Sequence, residues 1–324
     1  MNRAKVRVKV PASTANLGPG FDTLGMALNV YAWIEMAVAE RTVIRLYGEQ
    51  MDGVPTDKTN LIYKVAQQVF RAAGETYPEL EISMYSDIPL TRGMGSSASA
   101  IVGALTAANA LIGNKLSTNH LFRMATELED HPDNVGASLF GGIVVASWDG
   151  ERADAIRLEP HPQLEVMVAI PEFKLATEKA RLVLPQQITM RDAVYNVAHS
   201  SLLVAALAAG RLDMIRHAMQ DRLHQPYRAS LIPGMDTILA EATDHGALGV
   251  ALSGAGPTLL ALVDAQEARQ AELEQFLLGT LASHGIEART LRLKPELSGV
   301  QTYVEGSLEM ALPFKDLWKD GVNA

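Results

Sequence analysis

The chain has 324 residues, 48% of them apolar and 20% charged, which is enough to bury one large core or two ordinary ones and argues against disorder. Its 28 Lys and Arg stand against 37 Asp and Glu, a net charge of −9, which argues against a general binder of nucleic acid or of an anionic membrane. Cysteine is absent, which excludes a disulfide scaffold, a thiolate zinc site, an iron–sulfur cluster and a cysteine nucleophile.

The opening MNRAKVRVKV has no hydrophobic signal region, and Val6, Val8 and Val10 share one face, so Lys5 to Val10 predicts a strand. A second strand is predicted from Tyr31 to Val38 and a third from Val43 to Tyr47, with a loop from Pro11 to Gly25 punctuated by glycine and proline between the first two. Leu61, Ile62, Val65, Ala66, Val69 and Phe70 follow a helical period opened by Asn60. Leu80 to Ser86 reads as a strand, Ala98 to Ile112 as a helix of small residues, and Ser117 caps a helix that ends before Pro132. Ile143 to Trp148 is a strand.

From about residue 165 the rhythm changes. A strand, Glu165 to Ile170, precedes helices at about Met190 to Ala209, Leu212 to Leu223 and Met235 to Thr243. Strands Leu248 to Ser253 and Thr258 to Val263, a helix Ala265 to His284 and a strand Glu287 to Leu293 complete a split βαβ pattern. The loose segment Glu159-Pro160-His161-Pro162 places a domain boundary near residue 160. The longest apolar run, Leu202 to Ala209, is far shorter than the roughly 20 residues of a membrane span. A soluble, cytoplasmic protein is expected.

The most informative stretch is Pro89-Leu90-Thr91-Arg92-Gly93-Met94-Gly95-Ser96-Ser97-Ala98-Ser99, between a predicted strand and a predicted helix. Gly93 and Gly95 permit positive φ and close approach of a ligand to the backbone. The amides after them, with the free N–H groups of the helix start, make an anion nest. The motif is not the common P-loop, because the chain has no Gly-Lys dipeptide. It is not a protein-kinase loop, since His-Arg-Asp and Asp-Phe-Gly are missing. Taken alone, it reads equally as a tight strand–helix turn with a serine cap.

Two further stretches change that balance: PASTANLGPGFD near the start and ALSGAGPTLLAL at Ala251 to Leu262. In this order the three resemble the motifs of the GHMP kinase superfamily, which includes galactokinase and mevalonate kinase. His131-Pro132-Asp133-Asn134-Val135 and Thr177-Glu178-Lys179-Ala180-Arg181 are similar to the branch that acts on homoserine. The resemblance runs from about residue 5 to about residue 295.

That resemblance implies an α+β, two-domain GHMP kinase fold. An N-terminal α/β domain of ribosomal protein S5 domain 2-like type would span 1–160, and a C-terminal ferredoxin-like split βαβ domain 161–324. It implies ATP and Mg2+ as cofactors and L-homoserine as the small-molecule substrate, phosphorylated on its side-chain hydroxyl to O-phospho-L-homoserine in threonine biosynthesis. No nucleic-acid or membrane partner is implied. Family members are often dimers, and the apolar tail from Glu305 to Ala324, with Leu308, Met310, Leu312, Phe314, Leu317 and Trp318, permits a homodimer or packing on its own domain.

The resemblance also assigns roles. Pro89 to Ser99 would wrap the ATP phosphates, with the Ser97 hydroxyl facing magnesium. Glu127 and Glu129 lie two apart and face different ways on a helix, and Glu127 is favoured as the second metal ligand. Asn60 matches a position near the adenine base and also reads as a plain helix cap. Asp22, with Asn16 beside it, would take the substrate ammonium. Arg181 and Arg228 would take its carboxylate, because the guanidinium fork binds a carboxylate bidentately. Thr177 would lie near the reacting phosphoryl group. Asn134 would orient the hydroxyl, Asp133 would contact the substrate or accept its proton, and His131 would contact substrate or serve as a hydrogen-bonded structural residue. Gly136-Ala137-Ser138 stands where the family often has Ala-Pro-Ala, which predicts a looser loop after Asn134. The rival readings are a kinase for another small alcohol, such as mevalonate or an amino alcohol, and an inactive ligand sensor.

Overall fold

The computed structural model describes residues 5–317. Strands β1 (Lys5–Ala15) and β2 (Leu24–Val38) form a long antiparallel hairpin whose register shifts between Pro11 and Ala12. Past the shift, Ala12 to Ala15 pair with Leu28 to Gly25, so half of the expected loop is strand. The ladder satisfies backbone groups that a buried loop would leave unpaired. β3 (Val43–Tyr47) lies parallel to β4 (Leu80–Ser86), which pairs with β2. Four helices accompany the sheet, α1 (Leu61–Ala72) between β3 and β4, and α2 (Ser96–Leu111), α3 (Thr118–Glu129) and α4 (Asp133–Phe140) after β4. β5 (Ile143–Trp148) joins β2, and β6 (Ala153–Leu158), which no sequence pattern announced, joins β5.

The helices form for local reasons and stay for tertiary ones. Asn60 Oδ1 accepts the Ile62 amide at 2.8 Å and caps α1, worth about 1 kcal/mol. Ile62, Val65, Val69 and Phe70 are fully buried on one face, each contributing about 1.5–3 kcal/mol. α2 is buried on nearly every side by small residues and Ile101, Val102 and Leu105, as expected of a helix apolar all round. The stretch after Asn134 is α4, not a loose loop: Val135, Gly136, Ala137 and Ser138 are all buried. The backbone gains helical bonds there, Gly136 N to Pro132 O at 2.8 Å among them, without a proline to remove one.

The second half begins with β7 (Leu164–Pro171), followed by α5 (Thr177–Leu182), α6 (Met190–Ala208), α7 (Ile215–Ala218), α8 (Gln225–Arg228) and α9 (Met235–Glu241). Of the helix expected over Leu212 to Leu223, only α7 and a short turn before it form. β8 (Gly249–Leu252), β9 (Leu259–Asp264), α10 (Gln270–Ser283) and β10 (Ala288–Leu293) complete it. The strand order is β10-β7-β9-β8, all antiparallel, which is the split βαβ arrangement. The fold is thus α+β with two sheets.

One buried cluster joins the sheets: Leu24, Met26 and Leu28 of β2 pack with Val166, Val168, Leu260 and Leu262. The chain then returns to its start. β11 (Gln301–Tyr303) pairs with β1, and α11 (Leu308–Ala311) leads to Phe314 and Leu317, which pack with Trp33 of β2. The Arg7 guanidinium donates to the Leu312 carbonyl at 3.2 Å. The described part of the tail therefore covers its own first sheet; Trp318 and the residues after it lie outside the described part of the chain. Among the described residues no helix is long and apolar enough to cross a membrane.

Candidate active site

Three loops meet where the two sheets face each other. Thr91, Gly93 and Gly95 all have positive φ (53°, 79° and 70°), and Gly95 sits just before α2. A Cβ on Gly93 would fall 2.2 Å from the Ser253 carbonyl oxygen, and one on Gly95 would fall 2.1 Å from Ser13 Oγ. Only glycine allows both the turn and the approach. The loop is braced from both sides. Ser253 Oγ donates to the Gly93 carbonyl at 2.6 Å, Thr258 N to the Arg92 carbonyl at 3.2 Å, and Gly254 N to the Ala15 carbonyl at 3.2 Å. The third motif acts as a clasp between the phosphate loop and β1.

On one side of this loop lies a small charged pocket. It gathers Asn16, Asp22, His131, Asp133, Asn134, Thr177, Arg181 and Arg228 with Thr91, Gly93, Gly95, Ser96, Ser97 and Ala98. Thr177 and Arg181 stand four residues apart on α5, hence on one face. The Arg181 fork donates to both Asp22 oxygens at 3.0 and 2.8 Å. Arg228 is only 2% exposed, and its hydrogen bonds go to the carbonyls of Ala180 and Gly254 and to His224 instead of to a carboxylate. Burial, then the charge of Arg181, pushes its pKa down to about 10, so it stays a cation at neutral pH.

Asn134 Oδ1 accepts from Ser13 Oγ at 3.0 Å. Asp133 Oδ1 takes both the His131 Nδ1 at 2.7 Å and the Asn134 amide at 2.7 Å. His131 is buried, which opposes its charging; the Asp133 hydrogen bond and charge, then Glu129, outweigh that and raise its pKa.

On the other side an apolar cavity of about 350 Å³ lies between β2, β4, α1 and the start of α2. Ile34, Met51, Val54, Ile62, Met84 and Leu90 line it. Ser96 and Ser97 belong to both the cavity and the charged pocket. Asn60 and Ser99 also line the cavity, although Asn60 spends its amide on the α1 cap and on the Pro55 carbonyl at 2.7 Å.

Four expected side chains lie elsewhere. Arg92 turns away and donates to the Phe173 carbonyl at 2.7 Å; Pro89 shares that outer cleft, and Met94 is buried in the core between the sheets. Glu127, favoured for the metal, is exposed. Glu129 is the glutamate that lines the pocket, its Oε1 accepting from Ser97 Oγ at 2.5 Å. α3 ends in a left-handed Asp130 directly after it, and the Ser97–Glu129 bond ties that last turn to the start of α2. Sequence reasoning also missed Ser13 and Phe21, which lie inside the first motif, and His224, for which no local pattern gives a signal.

An apolar cavity on one flank of a glycine–serine loop and a charged pocket on the other are the layout that a small-molecule kinase needs. Known proteins agree. The family model for the GHMP kinases N terminal domain matches residues 60–142, and that for the GHMP kinases C terminal domain matches residues 203–276. The homoserine kinase of Desulfitobacterium hafniense is 43% identical over 294 residues, 91% of this chain and 98% of that protein. That of Synechococcus is 44% identical over 300 residues, 92% and 97% of the two chains. The crystal structure of homoserine kinase from Cytophaga hutchinsonii matches with a TM-score of 0.82 at 30% identity, covering 92% of this chain and 97% of that one. The galactokinase of Lactococcus lactis, 16% identical with a TM-score of 0.68, shares the fold. The chain belongs to the GHMP kinases and, within them, to the homoserine kinase family, and is thereby an ATP-dependent kinase of a small molecule.

Proposed function

We propose that this chain transfers the γ-phosphoryl group of ATP to the side-chain hydroxyl of L-homoserine, giving O-phospho-L-homoserine for threonine biosynthesis. The observation that carries this reading is the charge layout beside the glycine loop: Asp22 bonded to Arg181, and Arg228 buried without a carboxylate bond. A zwitterion entering between Asp22 and Arg181 exchanges one ion pair for two. Its ammonium meets Asp22, with Asn16 donating to the Gly254 carbonyl behind it at 2.9 Å. Its carboxylate meets the forks of Arg181 and Arg228. Mevalonate has no ammonium and would leave Asp22 unmatched.

Apolar walls hold the adenine base beside Asn60, and the amides of Gly93 to Ala98 hold the phosphates, that of Ser99 being spent on the Gly95 carbonyl at 2.9 Å. Arg92 and Pro89 shape that loop through its outer side. Ser97 and Glu129 would hold magnesium: a hydroxyl and a carboxylate already in contact are the hard oxygen donors this ion takes alongside phosphates and water. When bound, the ion supplies charge neutralisation at the nucleotide phosphates. Asn134, its oxygen engaged by Ser13, turns its amide nitrogen to the acceptor hydroxyl and orients it. Asp133, fixed by His131 and the Asn134 amide, positions that pair. Thr177 donates to the moving phosphoryl group. As the hydroxyl oxygen bonds to the γ-phosphorus, the bond from that phosphorus to the ADP oxygen breaks, and the hydroxyl proton passes to an oxygen of the transferred phosphoryl group and on to water. Such a loose transfer depends on positioning and charge stabilisation more than on a strong base. We place the boundary between the two units near residue 160.

An ADP-release assay with homoserine, mevalonate, galactose and threonine tests the reading. Homoserine should be preferred by at least a hundredfold in kcat/KM. Turnover of mevalonate or galactose at equal efficiency would replace it with a different kinase, and ligand binding without turnover of any alcohol would replace it with a sensor.

A further inference from the structure

We infer that His224 is a positioning residue for the acceptor site, setting Arg228 against the loop that carries Asp22; the inference rests on the homoserine reading above. His224 is fully buried and directly precedes α8, the helix that Arg228 ends. Its Nδ1 lies 3.2 Å from Arg228 Nη1, and its Nε2 lies 2.8 Å from the Gly18 carbonyl oxygen. A guanidinium only donates and a carbonyl only accepts. The network therefore assigns the ring: Nε2 carries the proton and Nδ1 the lone pair. A single neutral imidazole ties the cation to the backbone four residues before Asp22.

Burial pushes the ring toward that neutral form, against the pull of Asp221 at 3.6 Å. Asp221 itself is engaged by the amides of Leu223, His224 and Gln225 at 2.9, 3.0 and 2.7 Å. The aromatic ring of Phe21, next to Asp22 in the chain, stacks on His224 with centroids 5.0 Å apart. The guanidinium carbons of Arg228 and Arg181 lie 5.2 and 5.7 Å from the centre of the same Phe21 ring. Both cations proposed to read the substrate carboxylate thus share one platform with the ring of His224. The hydrogen bonds of His224 connect that platform to the Asp22 loop. Removing its acceptor leaves Arg228 Nη1 with the Gly254 carbonyl alone and Nε with that of Ala180, so the fork loses the one of its three bonds that ties it to the Asp22 loop.

Because His224 reaches no phosphate-binding residue, its effect should fall on acceptor binding. His224→Phe keeps the ring, its volume and its stacking but removes both hydrogen bonds. His224→Asn keeps an acceptor near the Nδ1 position. The expected result is a rise of at least tenfold in the homoserine KM for His224→Phe, with the ATP KM within twofold, and recovery of most of that loss in His224→Asn. A homoserine KM unchanged in His224→Phe would reduce the residue to a space-filler and overturn the inference. So would equal rises in both KM values. If His224→Phe does not fold, His224→Ala against His224→Asn gives the same decision: similar KM values in the two would overturn it. Wild-type turnover keeps the two readings apart. No turnover of homoserine sinks both, whereas normal wild-type turnover with an indifferent His224→Phe sinks only this one.

Discussion

The charged pocket and the apolar cavity share Ser96 and Ser97 yet are built on different principles. The pocket draws residues from β1, the phosphate loop, α3, α4, α5, α8 and the third motif, and is held by directional bonds between segments far apart in the chain. The cavity is walled by the first half alone and held by packing around Ile34, Ile62 and Met84. An acceptor with two opposite charges needs fixed directions, while an adenine ring needs mainly shape. Substitutions on the two flanks should therefore separate into acceptor effects and nucleotide effects, with the loop between them affecting both.

The largest effect is expected at that shared loop. Gly93→Ala puts a methyl group 2.2 Å from a backbone oxygen at a φ of 79°. The Ser253 carbonyl that it strikes is part of the clasp, so relief means opening the contact between the two halves. Strain of about 2–4 kcal/mol at such a position should lower kcat/KM for both substrates by about 30- to 10³-fold in an ADP-release assay. Near-normal turnover would show that the loop is not braced by the third motif, and the division into flanks would lose its fixed middle.

Next come the charges. Arg181→Ala should raise the homoserine KM about a hundredfold, equivalent to about 2.7 kcal/mol, and leave the ATP KM within about threefold. The Asp22–Arg181 pair is itself about one-third exposed on each side, so its own contribution to stability is under about 1 kcal/mol. A large KM effect with almost no change in melting temperature is the expected signature of a substrate-reading pair. Equal rises in both KM values would erase the distinction between the flanks.

How much of this could be read from the chain obeys the same division. The glycine–serine loop, the alternating valines and the helix caps announce themselves because their causes are local: positive φ, period two, an asparagine before an apolar run. The split βαβ half was legible as a rhythm of elements. What stayed hidden depends on contacts. β6 and β11 are short and meet partners only in the folded sheet. Gly136 to Ser138 looks loose until α4 is packed between β1, β2 and β5. Glu127 and Glu129 are indistinguishable until α3 lies against α2. The Arg92 side chain, counted with the phosphate loop, turns outward because the carbonyl of Phe173 waits at the end of β7. His224 has no pattern at all; its meaning exists only between Gly18 and Arg228.

The smallest effect expected is a pH dependence, and it too distinguishes the two flanks. His131 donates to Asp133 at 2.7 Å with Glu129 at 4.0 Å on its other side, and its pKa is raised above 6.5 although burial opposes the charge. The folded chain therefore holds this proton more tightly than the unfolded chain does. The stability it contributes is fully present below about pH 6.5 and is lost as the pH rises through the folded value. The melting temperature should fall modestly across that window, and His131→Asn should flatten the slope. The imidazolium lines the charged pocket and not the cavity, so the homoserine KM should drift over the same range while the affinity for metal-free ADP, which does not engage Glu129, stays level. A metal-free ADP affinity that tracked the same titration would mean that the two flanks are electrostatically one site.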